Sequence, residues 1–171
     1  MTLSYSDCRL CPVLQGARRL STPSSFLTES MIQQAIGAKS HPINTVIEKG
    51  AIRRFAEAIG DSNPLYIDEV VARSSIHGGI IAPPTFLRSA GTVRPEIPFE
   101  IPFDRLLDGG SSWEYHSDIR AGDIITAVGT VTDMSERSGR VGLMIFITTE
   151  IRYTNQFEEL VATQVNTTIR Y

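Results

Sequence analysis

From Trp113 onward the chain alternates with a period of two, and no other feature constrains its fold as much. Trp113, Tyr115, Ser117 and Ile119 fall on one side, with Ser112, Glu114, His116 and Asp118 on the other. Val141, Leu143, Ile145, Ile147, Ile151 and Tyr153 share a face of a second run, and Val161, Thr163, Val165, Thr167, Ile169 and Tyr171 a face of the last. The stretch "DIITAVGTVTD" (123–133) is apolar on both sides. Successive side chains of a strand point to opposite faces of a sheet, so these runs read as strands. Turns such as "ERSGR" between them imply an antiparallel meander. A sheet with an apolar face has to bury it against a second layer.

The first half of the chain supplies that layer. "AIRRFAEAI" places Ile52, Phe55, Ala56 and Ile59 at i, i+3, i+4 and i+7, one face of a helix. Gly60 stands where a helix ends in the left-handed conformation, and Pro64 keeps it from resuming. Asp68 is placed to cap a short helix, "EVVAR". In "GGIIAPPTFLRSAG", Pro83 holds the chain extended and Pro84 suits the first position of a helix, which predicts a helix from Pro84 to about Ala90. A loop spaced by Pro95, Pro98 and Pro102 follows and closes at "DGG" (108–110). Its Phe99, Phe103 and Leu106 are apolar enough to border a tunnel or an interface. With one early strand near 43–48, the fold class is α+β: a curved antiparallel sheet wrapped around a central helix.

The 171 residues fit one domain with a sizeable core. A net charge of −3, without a basic stripe, argues against a nucleic-acid partner. No apolar run approaches the roughly 20 residues that span a bilayer, so the expectation is a soluble, cytoplasmic protein with no membrane partner. Cys8 and Cys11, in "CRLCP", make half of a zinc or redox motif without its second half, and neither a metal nor a cofactor is implied. Residues 1–30 are rich in Ser, Thr and Arg, with only Asp7 and Glu29 as acids. They read as a flexible N-terminal extension before a domain spanning 31–171, although the same composition resembles an organelle transit peptide.

The segment "GDSNPLY" (60–66) sets an acid, an amide, a proline and an aromatic side by side. Taken alone, Asp61 could simply cap its own turn. Taken with "DE…AR", "GGIIAPPTFL", "GGSSWEY", "RAGD" and the closing "TNQFEELVATQVNTTIRY", the loop carries a resemblance over about residues 41 to 171. The chain resembles the MaoC-like (R)-specific enoyl-CoA hydratases and 3-hydroxyacyl dehydratases. Within them it is most similar to the fatty-acid-synthase-like dehydratase domain of the MaoC N-terminal type.

The resemblance implies a hot-dog fold and substrates that are acyl thioesters of coenzyme A or acyl carrier protein. It implies addition of water to a trans-2-enoyl thioester, or its removal from a 3-hydroxyacyl thioester. That reaction needs a group that moves protons between water and the α-carbon, and donors aimed at the thioester oxygen. Active members use an Asp and a His in G-D-x-N-P-x-H, and the backbone N–H of a Gly in a His-Gly-Met turn. Carried over, Asp61 matches the catalytic acid and Asn63 the positioning amide. Tyr66 stands in place of the His, and a phenol with a pKa of about 10 is a poor substitute for an imidazole of about 6.5. "APPT" (82–85) aligns with the His-Gly-Met turn, so Pro84, which has no N–H, replaces the Gly and only Thr85 is left to donate.

The candidate catalytic residues are therefore Asp61 and Tyr66, and the candidate substrate-binding residues Asn63, His77, Pro84 and Thr85. His77 precedes the central helix closely enough to act as a replacement base, whereas His41 and His116 read as surface residues. Arg88 and Arg94 read as surface charges, with a coenzyme A phosphate as the alternative. Three functions stay open: the substrate-holding, non-catalytic half of a hydratase or dehydratase; a self-sufficient homodimer using Asp61 with Tyr66 or His77; and a non-enzymatic acyl-thioester-binding domain. The expected partner is a second hot-dog subunit, in a homodimer or heterodimer, with the sheets paired edge to edge.

Overall fold

The computed structural model describes residues 25–171, so Cys8 and Cys11 lie outside the described residues. Five strands form one antiparallel sheet: β1 (Ile43–Val46), β2 (Leu106–Tyr115), β3 (Ile124–Gly139), β4 (Gly142–Thr154) and β5 (Leu160–Arg170). Their order is β1-β3-β4-β5-β2. Strands β3, β4 and β5 make the expected meander, with Gly139 opposite Gly142 at the first hairpin. Strand β2 departs from it and pairs with β5 at the far edge. The cause is the 116–123 connection, which is pinned along its length rather than turning back. His116 N–H donates to Val161 O, Ala121 N–H to Ile80 O and Gly122 N–H to Ile47 O.

Among the described residues of the first half lie four short α-helices: α1 (Glu29–Ala35), α2 (Lys49–Ala58), α3 (Pro64–Ile67) and α4 (Glu69–Ser74). Helix α2 buries Ile52 and Ala56, and its Phe55 meets Phe86 edge-on with ring centroids 5.5 Å apart. Gly60 ends the α2 turn at φ +71, and the Asp68 carboxylate caps α4 by accepting from the N–H groups of Val70 and Val71. The central helix lies where the sequence predicts it but is wound more tightly, a 3₁₀ helix over Pro84–Ser89 capped by Ala90. Gly91 follows at φ +117, a conformation L side chains rarely adopt, so the helix cannot continue. The chain instead runs on as a strap (91–97) over the sheet. Val93 of the strap approaches Gly129 so closely that a Cβ there would lie 2.7 Å from Val93 Cγ1.

The core divides in two along the covered face of the sheet. Ile47, Ile52, Leu87, Ile125 and Ile151 pack with the helices in one cluster. Val131, Met134, Ile145 and Ile147 form the other with Ala35 of α1, and with Phe99 and Phe103 packed against it. Residues 25–30, which the sequence reading places in the flexible extension, fold onto this second cluster. The Glu136 carboxylate accepts from the N–H groups of Phe26 (2.6 Å) and Leu27 (2.9 Å), Leu27 is buried, and Thr28 caps α1.

Candidate active-site loop and central cleft

Loop 60–66 is built by its own polar side chains. Asp61 N–H donates to Ala56 O at 2.9 Å, and the Asp61 carboxylate accepts the N–H of Asn63 at 3.0 Å. The Asn63 side chain accepts the N–H of Leu65 at 3.0 Å and so caps α3, with Pro64 in its first turn. Asp61 is exposed and borders an open hollow of about 300 Å³ walled by Arg53, Glu57 and Ile67. Tyr66 goes the other way, 7% exposed within the first core cluster. Burial pushes its phenol above the ordinary value, the charge of Asp61 adds to this, and the Asn63 side chain offsets part of it. Acid and phenol share a loop, but only the acid faces solvent.

The other candidates are dispersed. Pro84 and Thr85 are exposed in the first turn of the 3₁₀ helix, and Pro84 brings no N–H to that turn. His77 sits at a corner where its Nδ1 is 2.5 Å from Asp118 Oδ2 and its carbonyl accepts from Arg120 Nε at 3.0 Å. Among the described residues no hydrogen bond joins His77 to Asp61, Asn63 or Tyr66.

A cleft of about 560 Å³ lies between the strap and the sheet, in the gap between the two core clusters. Strand register shows how it is lined, because residues directly opposite each other share a face. Ile151, Gln164 and Trp113 make one row, Thr149, Asn166 and Ser111 the next, and Ile147, Thr168 and Asp108 a third. The Tyr153 hydroxyl donates to Gln164 Oε1 at 2.8 Å, and Gln164 Nε2 donates to Ser111 Oγ at 3.2 Å. Asn166 Nδ2 donates to the same Ser111 Oγ at 3.1 Å. Burial pushes the Tyr153 phenol up to about 12, with Arg88 pulling against it. Trp113 stacks on Tyr153 with centroids 5.5 Å apart.

The rim of the cleft is charged. Asp108 pairs with Arg88 and accepts the N–H of Gly110 at 2.9 Å. That backbone donor first, and then Arg88, hold its carboxyl below the ordinary range against the opposing effect of burial. Arg94 and Arg170 also line the cleft. So Arg88 and Arg94, read from the sequence as surface charges, both belong to this rim. Tyr153, Gln164, Asn166 and Arg170 carry no local signal in the sequence that marks them as site residues. The alternation of β5 displays its two faces equally, and only the register shows that the even-numbered, polar one turns inward.

A family model described as "FAS1-like, dehydratase domain region" matches residues 34–164. A UPF0336 protein of Streptomyces griseus subsp. griseus is 33% identical over 115 residues, covering 63% of this chain and 77% of that protein. A protein of Thermomonospora curvata named "Probable enoyl-CoA hydratase alpha subunit" is 34% identical over 131 residues, covering 66% of this chain and 41% of that protein. Among solved structures, the MaoC-like dehydratase of Rhodospirillum rubrum superposes with a TM-score of 0.65 at 23% identity, covering 81% of this chain and 94% of that one. The ChsH1-ChsH2 complex of Mycobacterium tuberculosis gives a TM-score of 0.68 at 24% identity, covering 83% and 92%. At these identities the structural likeness is one of fold, and that fold is the hot dog.

Proposed function

The chain belongs to the family of FAS1-like dehydratase domain regions, and on that premise we propose that it is the substrate-holding half of a hydratase or dehydratase for enoyl or 3-hydroxyacyl thioesters. The observation that carries this reading is the position of Tyr66. The residue standing where a proton-exchanging His is expected is a buried phenol, shifted further from neutrality by burial and by Asp61. Proton transfer is most effective when the catalytic pKa lies near the working pH, which this group does not satisfy. In this reading a second subunit with an intact G-D-x-N-P-x-H supplies the acid and base, and this chain holds the acyl group in its cleft. Asp61 and Asn63 keep the loop in shape, while Pro84 and Thr85 contribute no complete oxyanion site.

Edge strand β2 supports a partner of the same architecture. It pairs with β5 on one side only, and its Leu106 and Leu107 are 53% and 54% exposed. A long unpaired edge of this kind is a template for another strand. The Thermomonospora relative is named as a subunit and the ChsH1-ChsH2 structure is a complex, which agrees with a two-subunit enzyme. A second reading, a self-sufficient homodimer, is favoured by one observation: the Asp118 carboxylate fixes Nδ1 of His77, the arrangement that orients an imidazole base.

The test is to purify the chain alone and together with a hot-dog subunit that carries an intact G-D-x-N-P-x-H. Hydration of crotonyl-CoA is then followed by loss of the enoyl absorbance. Activity in the mixture only is the expected result. Full activity of the chain alone, abolished by Asp61→Asn or His77→Asn, would refute the half-site reading in favour of the homodimer. Acyl-CoA binding without turnover in either preparation would make the chain a binding domain.

A further inference from the structure

We infer that the cleft takes an acyl group ending in a carboxylate rather than a plain hydrocarbon chain. The inference rests on the thioester reading and names the substrate class within it. Its first support is the orientation of β5. Four successive cleft-facing residues of this strand, Gln164, Asn166, Thr168 and Arg170, are polar, while Val165 and Ile169 face the opposite way. Burying polar groups against a hydrocarbon chain costs free energy that an apolar strand face would not. The opposite orientation would put Val165 and Ile169 against the ligand.

The second support is charge. Three guanidiniums line the cleft, those of Arg88, Arg94 and Arg170, and Asp108 is its single carboxylate. Asp108 is already committed to Arg88 and to the N–H of Gly110. Among the described residues neither Arg94 nor Arg170 pairs with a carboxylate. Arg170 donates only a long bond, 3.4 Å, to the carbonyl of Phe103. Two guanidinium forks are therefore available where a ligand would lie, and a planar carboxylate is the group that such a fork matches in a bidentate manner.

The third support is the remaining wall. Leu87, Val93, Ile147 and Ile151 offer contacts to methylene groups. The volume falls in the roughly 300–1,000 Å³ range of small-molecule sites. A ligand with an apolar body and an anionic end satisfies both walls. The phosphates of a coenzyme A carrier are the other source of anionic charge, and the comparison below separates the two.

Trp113 is the only tryptophan in the chain and stacks on Tyr153, which lines the cleft, so its fluorescence reports on occupancy. The full-length chain is titrated with octanoyl-CoA, with suberoyl-CoA of equal carbon number, and with free suberate. Calorimetry is run in parallel. Suberoyl-CoA is expected to bind about tenfold tighter than octanoyl-CoA, the gain of one charge-assisted pair. Arg170→Met should remove that preference. Arg94→Met, on the exposed strap, should reduce it and covers the case in which the Arg170 variant fails to fold. Equal affinity for the two thioesters would assign the arginines to the carrier phosphates and overturn the inference while leaving the thioester reading intact. Binding of suberate with neither thioester bound would keep the carboxylate site and overturn the thioester reading. No response to any of the three would overturn both.

Discussion

Removing the Tyr153 hydroxyl tests whether the cleft network is part of the folded core or a wet surface. Tyr153 and Gln164 are 4% and 2% exposed, and their oxygens are 2.8 Å apart. In Tyr153→Phe the ring keeps its stacking on Trp113, but Gln164 Oε1 loses its donor. An orphaned buried acceptor costs about 1–3 kcal/mol. For a domain of this size each kcal/mol lowers the melting temperature by roughly 2–4 °C, so a fall of about 2–12 °C is expected in a thermal melt. Removing both partners in Tyr153→Phe/Gln164→Leu leaves no orphan at this pair, so the double variant should lose clearly less than the sum of the two single variants. The alkaline limb gives an independent reading. The Tyr153 pKa rises from 10.0 to about 12 because burial disfavours the phenolate. Its contribution to stability is therefore fully present below pH 10 and is lost as the pH rises through 10 towards about 12. Tyr153→Phe should flatten that limb, with a residual slope from Tyr66 and Tyr115, whose pKa values burial also raises. A Phe variant as stable as the parent, with an unchanged alkaline limb, would refute the buried network.

Three further perturbations address other parts of the chain. Gly129→Ala places a methyl 2.7 Å from Val93 Cγ1 and 3.1 Å from Thr149 Cγ2. It should cost about 1–3 kcal/mol by urea unfolding, and Val93→Ala in the same chain should recover much of it. Asp68→Ala removes the acceptor for two helix N–H groups at α4 and should cost about 0.5–2 kcal/mol in the same assay. Burial pushes the Glu136 carboxyl up, but the N–H groups of Leu27 and Phe26 and the Ser25 hydroxyl outweigh it, so its pKa lies below 4.5. The docking it supports is then present above pH 4.5 and lost as the pH falls below that value, which a drop in hydrogen-exchange protection of the Phe26 and Leu27 amides, relative to the free-amide rate at each pH, would report. Glu136→Gln should show that drop in protection at neutral pH as well.

Local signals in the sequence carry most of the elements. The spacing of Ile52, Phe55 and Ala56 gives helix α2, Gly60 its end and Asp68 the cap of α4, because each rests on neighbours within a few residues. Strands β3, β4 and β5 follow from the period of two for the same reason. Three features depend on distant contacts and are not carried locally. Strand β2 reaches the far edge because 116–123 is held by Val161, Ile80 and Ile47, all remote in sequence. Residues 25–30 belong to the fold because of Glu136, more than a hundred positions away. In the loop, "GDSNPLY" identifies the acid and the brace, but the inward turn of Tyr66 needs the core that receives it.

The short central helix and the polar face of β5 explain each other. Were the helix to continue past Ala90, its next turns would cover the sheet where Thr149, Gln164, Asn166 and Thr168 now line open space. Gln164, Asn166 and Thr168 already hold hydrogen bonds within the sheet, so the cost would fall on their polar atoms still open to solvent, about 1–3 kcal/mol for each left without a partner from the helix. Gly91 prevents this by leaving the helical region, and the extended strap that follows spans the sheet at only a few points, such as Val93 over Gly129. An apolar β5 face under the same strap would leave exposed hydrocarbon lining a cavity, which is also unfavourable. A stop signal after the helix and a polar parity in the last strand are thus two parts of one arrangement. Either alone is an ordinary turn or an ordinary strand; together they leave a cleft that a ligand with both apolar and anionic parts fits.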